Sequence, residues 1–400
     1  MHISFSPPDI SEQEINEVAE ALRSGWITTG PRTKQLEKNL AERIGVPGCV
    51  CLNSQTACAE LALRILGVGP GDEVITSAYT YTATASVVLH VGATLRLIDT
   101  RKDGFEMDYD KLEASVNEKT KVIIPVDLGG VPCDYDKIFS IVERKRNLFK
   151  PSNKIQEAFG RIIVMADAAH ALGAIYKGQN VGNVADFSNF SFHAVKNLTT
   201  AEGGAVTWKS LGEAEDREIY RMFQLYSLHG QSKDALSKTK LGAWEYDVLG
   251  AWYKCNMTDV AAAIGLKQLE RYDGMLQRRK QIIEKYDCAF RHLGIKVLNH
   301  YSEERQSSGH LYITRIPGIT ETERNEIIVK MAEEDIACNV HYKPLPLFTA
   351  YKNLGFSISD YPNAYGQYVN EITLPLHTSL TDEMVDYVAE KYVKIVKRVL

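Results

Sequence analysis

Through its first two thirds the chain alternates short apolar runs with amphipathic stretches. Cys49-Val50-Cys51-Leu52 precedes a helical run from Thr56 to Leu66, and Glu73 to Thr76 precedes another from Tyr81 to His90. Lys121 to Val126 and Arg161 to Ala166 are continuous apolar runs, the pattern of strands covered on both faces. Phe187 to Phe192 and Gly204 to Trp208 follow as two more candidate strands. Strands alternating with helices predict an α/β fold with a mostly parallel sheet wrapped by helices. The charged stretch from Glu143 to Gly160, with its Pro-Ser-Asn turn, reads as a helix end and a long surface loop. One long amphipathic helix is expected from Thr258 through Ala289, capped by Thr258 or Asp259. Candidate strands His310 to Thr314 and Ala337 to His341 frame a helical run from Glu321 to Glu334. A last amphipathic helix, Thr381 to Leu400, starts acidic and ends basic, as the helix dipole favours. His310 and Tyr312 alternate with apolar neighbours and fit a half-buried strand.

Length and charge narrow the classes. Four hundred residues exceed the usual single-domain size, which suggests two unequal domains. The net charge of -5 gives no basic field for nucleic acid and no polybasic membrane patch. No apolar run approaches membrane-spanning length, and the polar opening MHISFSPPDISEQEI does not read as a signal peptide. Seven scattered cysteines form no CxxC pair and read as buried or idle thiols in a reducing cytoplasm. HExxH is absent and the ten histidines do not cluster at ligand spacing, so no metal site is expected.

Asp167 follows an apolar strand directly, at the carboxyl edge of the sheet where open α/β folds bind ligands. Alone, an aspartate there is more often a cap or turn residue. Lys196 lies in a short polar loop between two apolar strands, flanked by hydroxyls and small residues and followed by Gly203-Gly204. A lysine there is by default a charge facing solvent, but such a loop also suits close approach to a ligand. An aspartate at a strand end with a lysine on a following loop is what pyridoxal 5'-phosphate (PLP) chemistry requires. The amine forms a Schiff base, and the carboxylate keeps the pyridine nitrogen protonated. Leu52-Asn53-Ser54-Gln55-Thr56 ends a strand and opens a helix, either as a phosphate site or with Ser54 as a plain N-cap. Ser191 offers a further hydroxyl to that phosphate, and Tyr81 is either a ring stacked on the cofactor or a core or interface aromatic.

These residues carry a resemblance over nearly the whole chain. The run Ser24 to Pro31 (SGWITTGP), Asn53 to Ala57, Asp167-Ala-Ala-His170, Ser191-Phe-His-Ala-Val-Lys196 with Asn197, Glu202-Gly-Gly204, Tyr253 to Asp259, His341-Tyr-Lys-Pro344 and Leu374-Pro-Leu376 resemble the DegT/DnrJ/StrS family of PLP-dependent nucleotide-sugar aminotransferases. Within it the chain looks most like the UDP-4-amino-4-deoxyarabinose and 4-amino-sugar transaminase branch. The resemblance implies the aspartate aminotransferase-like fold type I. Its large mostly parallel-sheet α/β/α domain would span 1–260. A smaller αβ C-terminal domain would span 261–400 with the linking helix, and the N-terminal residues would pack on it. It implies Lys196 as the Schiff-base lysine and acid/base, Asp167 against the pyridinium, and His170 against the ring hydroxyl. It places Ser54, Gln55, Thr56 and Ser191 at the phosphate. Asn256, with Lys254, would reach the phosphate in the neighbouring subunit, which implies a homodimer with shared sites. Thr28, Thr29 and His193 would line the sugar pocket, with His341 near the entrance.

Three departures stand out. An aspartate occupies the Asp127-Leu128-Gly129-Gly130 run where the family often has an aromatic-Gly pair, the loop over 143–160 is long, and Trp252-Tyr253 and Cys255 replace an expected Gly-Tyr and Tyr. The expected reaction is a ping-pong transfer of an amino group from L-glutamate to a nucleotide-linked keto-sugar, in amino-sugar, surface-polysaccharide or glycoside biosynthesis. The rivals are a PLP-dependent sugar dehydratase, in which histidine replaces the lysine, and a non-catalytic regulator on the same fold. A nicotinamide dehydrogenase is disfavoured, because Gly67-Val-Gly-Pro-Gly-Asp72 follows a helix and lacks the GxGxxG spacing.

Overall fold

The computed structural model describes residues 1–232, 245–291 and 293–399. Its main sheet has seven strands: β1 (Cys49–Leu52), β2 (Glu73–Ser77), β3 (Thr94–Ile98), β4 (Thr120–Ile124), β5 (Ile163–Asp167), β8 (Phe187–Ser191) and β9 (Gly204–Trp208). They lie in the order β1-β9-β8-β5-β4-β2-β3. Only β9 runs against its neighbours; β2, β3, β4, β5 and β8 pair in parallel. The physical reason is the short link after β8. Parallel strands need a long crossover, usually a helix, whereas residues 192–203 hold only turns and bends and lead the chain straight back antiparallel.

Both faces of this sheet are buried, which explains the continuous apolar runs. Val50, Val122, Ile163, Met165 and Val206 face one core, against the helices Gln55–Ile65, Thr82–His90 and Glu213–Ser227. Cys49, Cys51, Ile123, Val164 and Ala166 alternate onto the other, against Pro31–Ile44, Tyr135–Arg144 and Asp259–Glu270. A second sheet of β10 (Lys296–Val297), β12 (Tyr312–Arg315) and β13 (Glu371–Leu374) packs on Tyr272–Phe290, Glu321–Glu333 and Asp382–Val399 around a third core that includes Ile3. A small ribbon of β6 (Ile175–Tyr176), β7 (Gln179–Asn180) and β11 (Arg305–Gln306) ties the two regions together. Tyr312 is fully buried in the third core and its hydroxyl donates to Asp287 at 2.7 Å.

Three local expectations are corrected, and one strand is unexpected. The single helix expected over Thr258 to Ala289 breaks at Arg271, whose backbone leaves helical geometry (φ -106°, ψ 7°). Its guanidinium is held there by Glu14 at 2.7 Å and Asp9 at 2.9 Å, so tertiary ion pairs override local propensity. Ala337 to His341 forms no strand, only isolated bridges: Asn339 exchanges bonds with Thr373, and Ala337 N–H donates to the Ile3 carbonyl where Ile336 bridges Ile3. The stretch from 143 to 160 contains a helix, Lys154–Phe159, capped by the Asn153 side chain. The edge strand β3 was not legible as a run, because Thr94 and Arg96 face solvent between its apolar residues.

Among the described residues no helix is long and apolar enough to cross a membrane. The cysteines are all unpaired; Cys49, Cys51, Cys58 and Cys133 are buried, and burial pushes the thiols of Cys51, Cys58 and Cys133 well up.

Candidate active site

The carboxyl ends of β1, β2, β5 and β8 open onto one cavity of about 500 Å³. Asp167, the last residue of β5, is buried on its floor. Its Oδ2 accepts from the Thr84 hydroxyl at 2.5 Å and its Oδ1 from the Ala169 N–H at 3.2 Å. Burial raises its carboxyl above the ordinary carboxylate range, while Thr84, Ala169 and the charge of Lys196 pull the other way.

Lys196 stands on the link between β8 and β9. That link is stiffened by its own hydroxyls: Thr199 Oγ1 donates to the Phe192 carbonyl (3.2 Å) and accepts from Ala201 N–H (2.9 Å), and Thr200 Oγ1 donates to the Glu202 carbonyl (2.8 Å). The strands beneath it pair over five residues, from Phe187 with Trp208 to Ser191 with Gly204. The lysine is thus fixed at its base. Burial lowers its ammonium from 10.5 to about 8, against a smaller opposing pull from Asp167.

The helix Gln55–Ile65 points its N-terminus at the same cavity, and Ser54, Gln55 and Thr56 line it. Ser54 is the N-cap, accepting from Ala57 N–H at 3.1 Å. The cap reading and the anion-site reading of Ser54 are therefore compatible: one amide is satisfied, and the other first-turn amides and the dipole remain for an anion. Gly204 explains how the helix comes so close. A Cβ there would lie 2.4 Å from Gln55 N and 2.6 Å from Ser54 C. The close approach expected at Gly203-Gly204 is at Gly204 an approach of backbone to backbone, while Gly203 itself lines the cavity.

His170 is buried beside them. Gly129 N–H donates to its Nδ1 at 3.2 Å, which puts the proton of the neutral ring on Nε2, 3.2 Å from the Tyr342 hydroxyl. Burial, then the charge of Lys196, hold it well below the ordinary histidine range, so the ring is neutral. Ser191, His193, His341 and Tyr81 also line the cavity. Tyr81 is 60% exposed and lies 6.0 Å from the Tyr342 ring, which removes the core reading and leaves a ring at the cavity or at an interface. His193 Nε2 sits 3.7 Å from Glu202, and His341 Nδ1 3.0 Å from Thr373 Oγ1.

Thr28, Thr29, Lys254 and Asn256 do not line this cavity. Thr29, Lys254 and Asn256 form a separate cluster: Asn256 Nδ2 donates to Thr29 Oγ1, Lys254 Nζ donates to Asn256 Oδ1, and Thr29 Oγ1 donates to the Met257 carbonyl at 2.5 Å; the Thr28 carbonyl accepts from Asp259 N–H at 3.1 Å. Asp127, the anomalous residue of the 127–130 run, is buried in the cavity wall. Its carboxylate accepts from Tyr135 Oη and Cys133 N–H, both at 2.8 Å, and burial pushes it up to about 7.

Several residues of the site had no role assigned from the sequence. Thr84 lies on an apolar helix. Asn197, next to Lys196, is buried, donates to the Ser308 carbonyl at 2.8 Å and meets His310 Nδ1 at 2.9 Å. The His310 ring lies 4.3 Å from that of His170. His310 is buried and lines the cavity, beyond the half-buried strand position its alternation suggested. The N-terminal segment reaches the rim, where Phe5 stacks on His341 at 5.5 Å and Ser6 donates to the Val195 carbonyl at 3.1 Å.

A fixed lysine amine, a buried carboxylate, neutral imidazoles and an amide-lined helix end form a donor set that fits a phosphorylated pyridine aldehyde. The carboxylate would hold a ring N–H, the helix end the phosphate, and Lys196 the carbonyl carbon.

Comparison with known proteins points the same way. Spore coat polysaccharide biosynthesis protein SpsC of Bacillus subtilis is 38% identical over 402 residues, 99% of this chain and 97% of its own. The UDP-4-amino-4-deoxy-L-arabinose–oxoglutarate aminotransferase of Shewanella sediminis is 34% identical over 375 residues, 93% of this chain and 89% of its own. A provisionally assigned sugar aminotransferase of Streptococcus pneumoniae, solved in its PMP-form, superposes with a TM-score of 0.97 at 58% identity, covering 100% of both chains. The DegT/DnrJ/EryC1/StrS aminotransferase family matches residues 8–393, and the chain belongs to that family of PLP-dependent sugar aminotransferases.

Proposed function

We propose that this enzyme moves an amino group from L-glutamate to a nucleotide-linked keto-sugar, with Lys196 as the covalent anchor and proton carrier. The observation that carries this reading is the placement of Lys196 and buried Asp167 in one cavity that also receives a helix N-terminus. When bound, PLP supplies an electron sink for the bond broken at the amino-bearing carbon. Asp167 supplies a carboxylate whose charge suits a protonated ring nitrogen, and Thr84 and Ala169 orient it. Lys196 Nζ, with its ammonium lowered to about 8, has an appreciable neutral fraction near neutral pH and can take up and return a proton. Neutral His170 offers its Nε2 proton to an acceptor oxygen. Ser54, Gln55, Thr56 and Ser191 supply the phosphate end, and Tyr81 a ring at the mouth. His193 and His341 are read as the sugar side of the pocket.

Thr28, Thr29, Lys254 and Asn256 stand outside the cavity of their own chain. We read them as offered to the cavity of a second copy, which makes the working unit a homodimer with shared sites. The division into domains at about residue 260 and a cytoplasmic location belong to the same proposal. Its test is to add L-glutamate to the PLP-loaded protein. The visible absorbance is expected to move to the near-ultraviolet with release of 2-oxoglutarate, and an added keto-sugar to restore it. A visible band indifferent to every amino acid would leave the regulator reading in its place.

The lysine shift gives a pH prediction independent of turnover. Attachment of PLP to the cofactor-free protein, trapped by borohydride and located by mass spectrometry, is expected to accelerate as pH rises through about 8 and then level off. A midpoint near the ordinary lysine value of 10.5 would contradict it. The linkage has a definite sign. Between about 8 and 10.5 the unfolded chain holds more protons at this lysine than the folded one, so its contribution to stability rises with pH across that window.

A further inference from the structure

A second cavity, of about 310 Å³, lies between the turn after β3, the end of β4 and the small sheet. Val126 is a wall common to it and to the lysine cavity. Its distinguishing feature is Arg315 on β12. The guanidinium is half-buried and sits over the Phe105 ring at 5.4 Å. Among the described residues no carboxylate pairs with it and no acceptor receives a hydrogen bond from it. Burial lowers it from the usual guanidinium range, against smaller opposing pulls from Tyr79, Asp103 and Glu371, none of which forms an ion pair or hydrogen bond with the guanidinium.

The other charges around the cavity are already matched. Arg305 pairs with Glu106 at 2.5 Å and approaches Asp134 at 3.6 Å, while Lys296 pairs with Asp103 at 3.2 Å. Arg101, at the mouth, is a second cation with no ion pair among the described residues. Its side of the cavity is fixed by Gln367, whose Nε2 donates to the carbonyls of Arg101 (3.1 Å), Lys102 (3.0 Å) and Gly104 (3.2 Å). The rest of the lining is mixed: Leu128, Val131, Leu298 and Ile313 are apolar, and Asn299 and Ser302 are polar.

A half-buried guanidinium with no ion pair is costly, and Arg315, sharing one partly apolar cavity with the exposed Arg101, selects a particular ligand. Inorganic phosphate would leave the apolar walls wet, and an uncharged ligand would leave the guanidiniums unpaired. We propose that this cavity binds a small organic acid, its carboxylate shared by Arg315 and Arg101 and its apolar body against Leu128, Leu298 and Ile313. The volume has room for about ten water-sized groups, the size of phenylacetate. Such a ligand touches the turn after β3 and strand β12 together, so its binding is linked to the packing of the small sheet on the large one. The site does not depend on the role given to Lys196.

The test is thermal unfolding of the PLP-loaded protein against increasing phenylacetate, with sodium chloride at equal ionic strength as the control. Tm is expected to rise with phenylacetate and not with the salt. Arg101→Gln, at an exposed position, and Arg315→Met are each expected to weaken phenylacetate by about ten-fold or more. Lys196→Ala, loaded in the same way, is expected to keep the response. No response in the wild type, an unchanged affinity in Arg101→Gln, or a response lost in Lys196→Ala would each overturn the proposal. The last would place the probe in the lysine cavity instead.

Discussion

Lys196→Ala is expected to lower amino transfer by about 10⁴-fold or more, the combined loss of a covalent anchor and of a proton carrier. The fold should persist, because the β8–β9 link is held by Thr199, Thr200 and the strand ladder rather than by the lysine side chain. Non-covalent cofactor binding should also persist, since the helix end at Ser54 to Thr56 and Asp167 are untouched. Borohydride should then leave no label on the polypeptide, and glutamate should release no 2-oxoglutarate. Turnover close to that of the wild type would remove Lys196 from the mechanism.

Asp167→Asn is expected to separate activity from stability. The amide keeps an acceptor for Thr84 or Ala169 but has no charge to hold a protonated ring nitrogen. A fall in kcat of about 10²- to 10³-fold is expected, on the scale of losing one preorganised electrostatic group. Stability should move the other way or not at all. The carboxylate is raised by burial, so its charged form costs the folded state free energy above its ordinary titration range, and Asn removes that cost. The measurement is kcat beside the Tm of the cofactor-free protein. If both fall together, Asp167 is holding up the wall of the cavity rather than acting on the cofactor.

Much of this site could be read before the structure because its parts sit where chain patterns change. Asp167 ends an apolar strand, Lys196 interrupts two, and Ser54 separates a strand from a helix. Each change of pattern marks the carboxyl edge of the sheet. Thr84 gave no such signal, because its hydroxyl leaves the face of an apolar helix and only tertiary packing brings it to Asp167. His310 followed the alternation of its strand; its meeting with Asn197 and His170 depends on how the small sheet is set against the large one. The break at Arg271 was hidden for the same reason, since Asp9 and Glu14 are remote in sequence. The antiparallel course of β9 was in principle readable from the shortness of the link after β8. Thr28, Thr29 and Asn256 show the opposite case: their motifs were plain in the sequence, yet a single chain gathers them away from the cavity.

The pairing of β1 with β9 also sets an order of events during synthesis. β1 is made early, but its partner, through Cys49 with Thr207 and Leu52 with Gly204, emerges only after β2, β3, β4, β5 and β8. Until then the helix end at Ser54 to Thr56 lacks the Gly204 backbone against which it is seated. Closing so long a span of chain is entropically slow, and no local contact can substitute for it. A nascent chain stalled before Trp208 would therefore hold Asp167 but not the finished phosphate cradle. Attachment of the cofactor becomes a timer for the completed sheet, marking the moment at which the oldest strand finds the youngest.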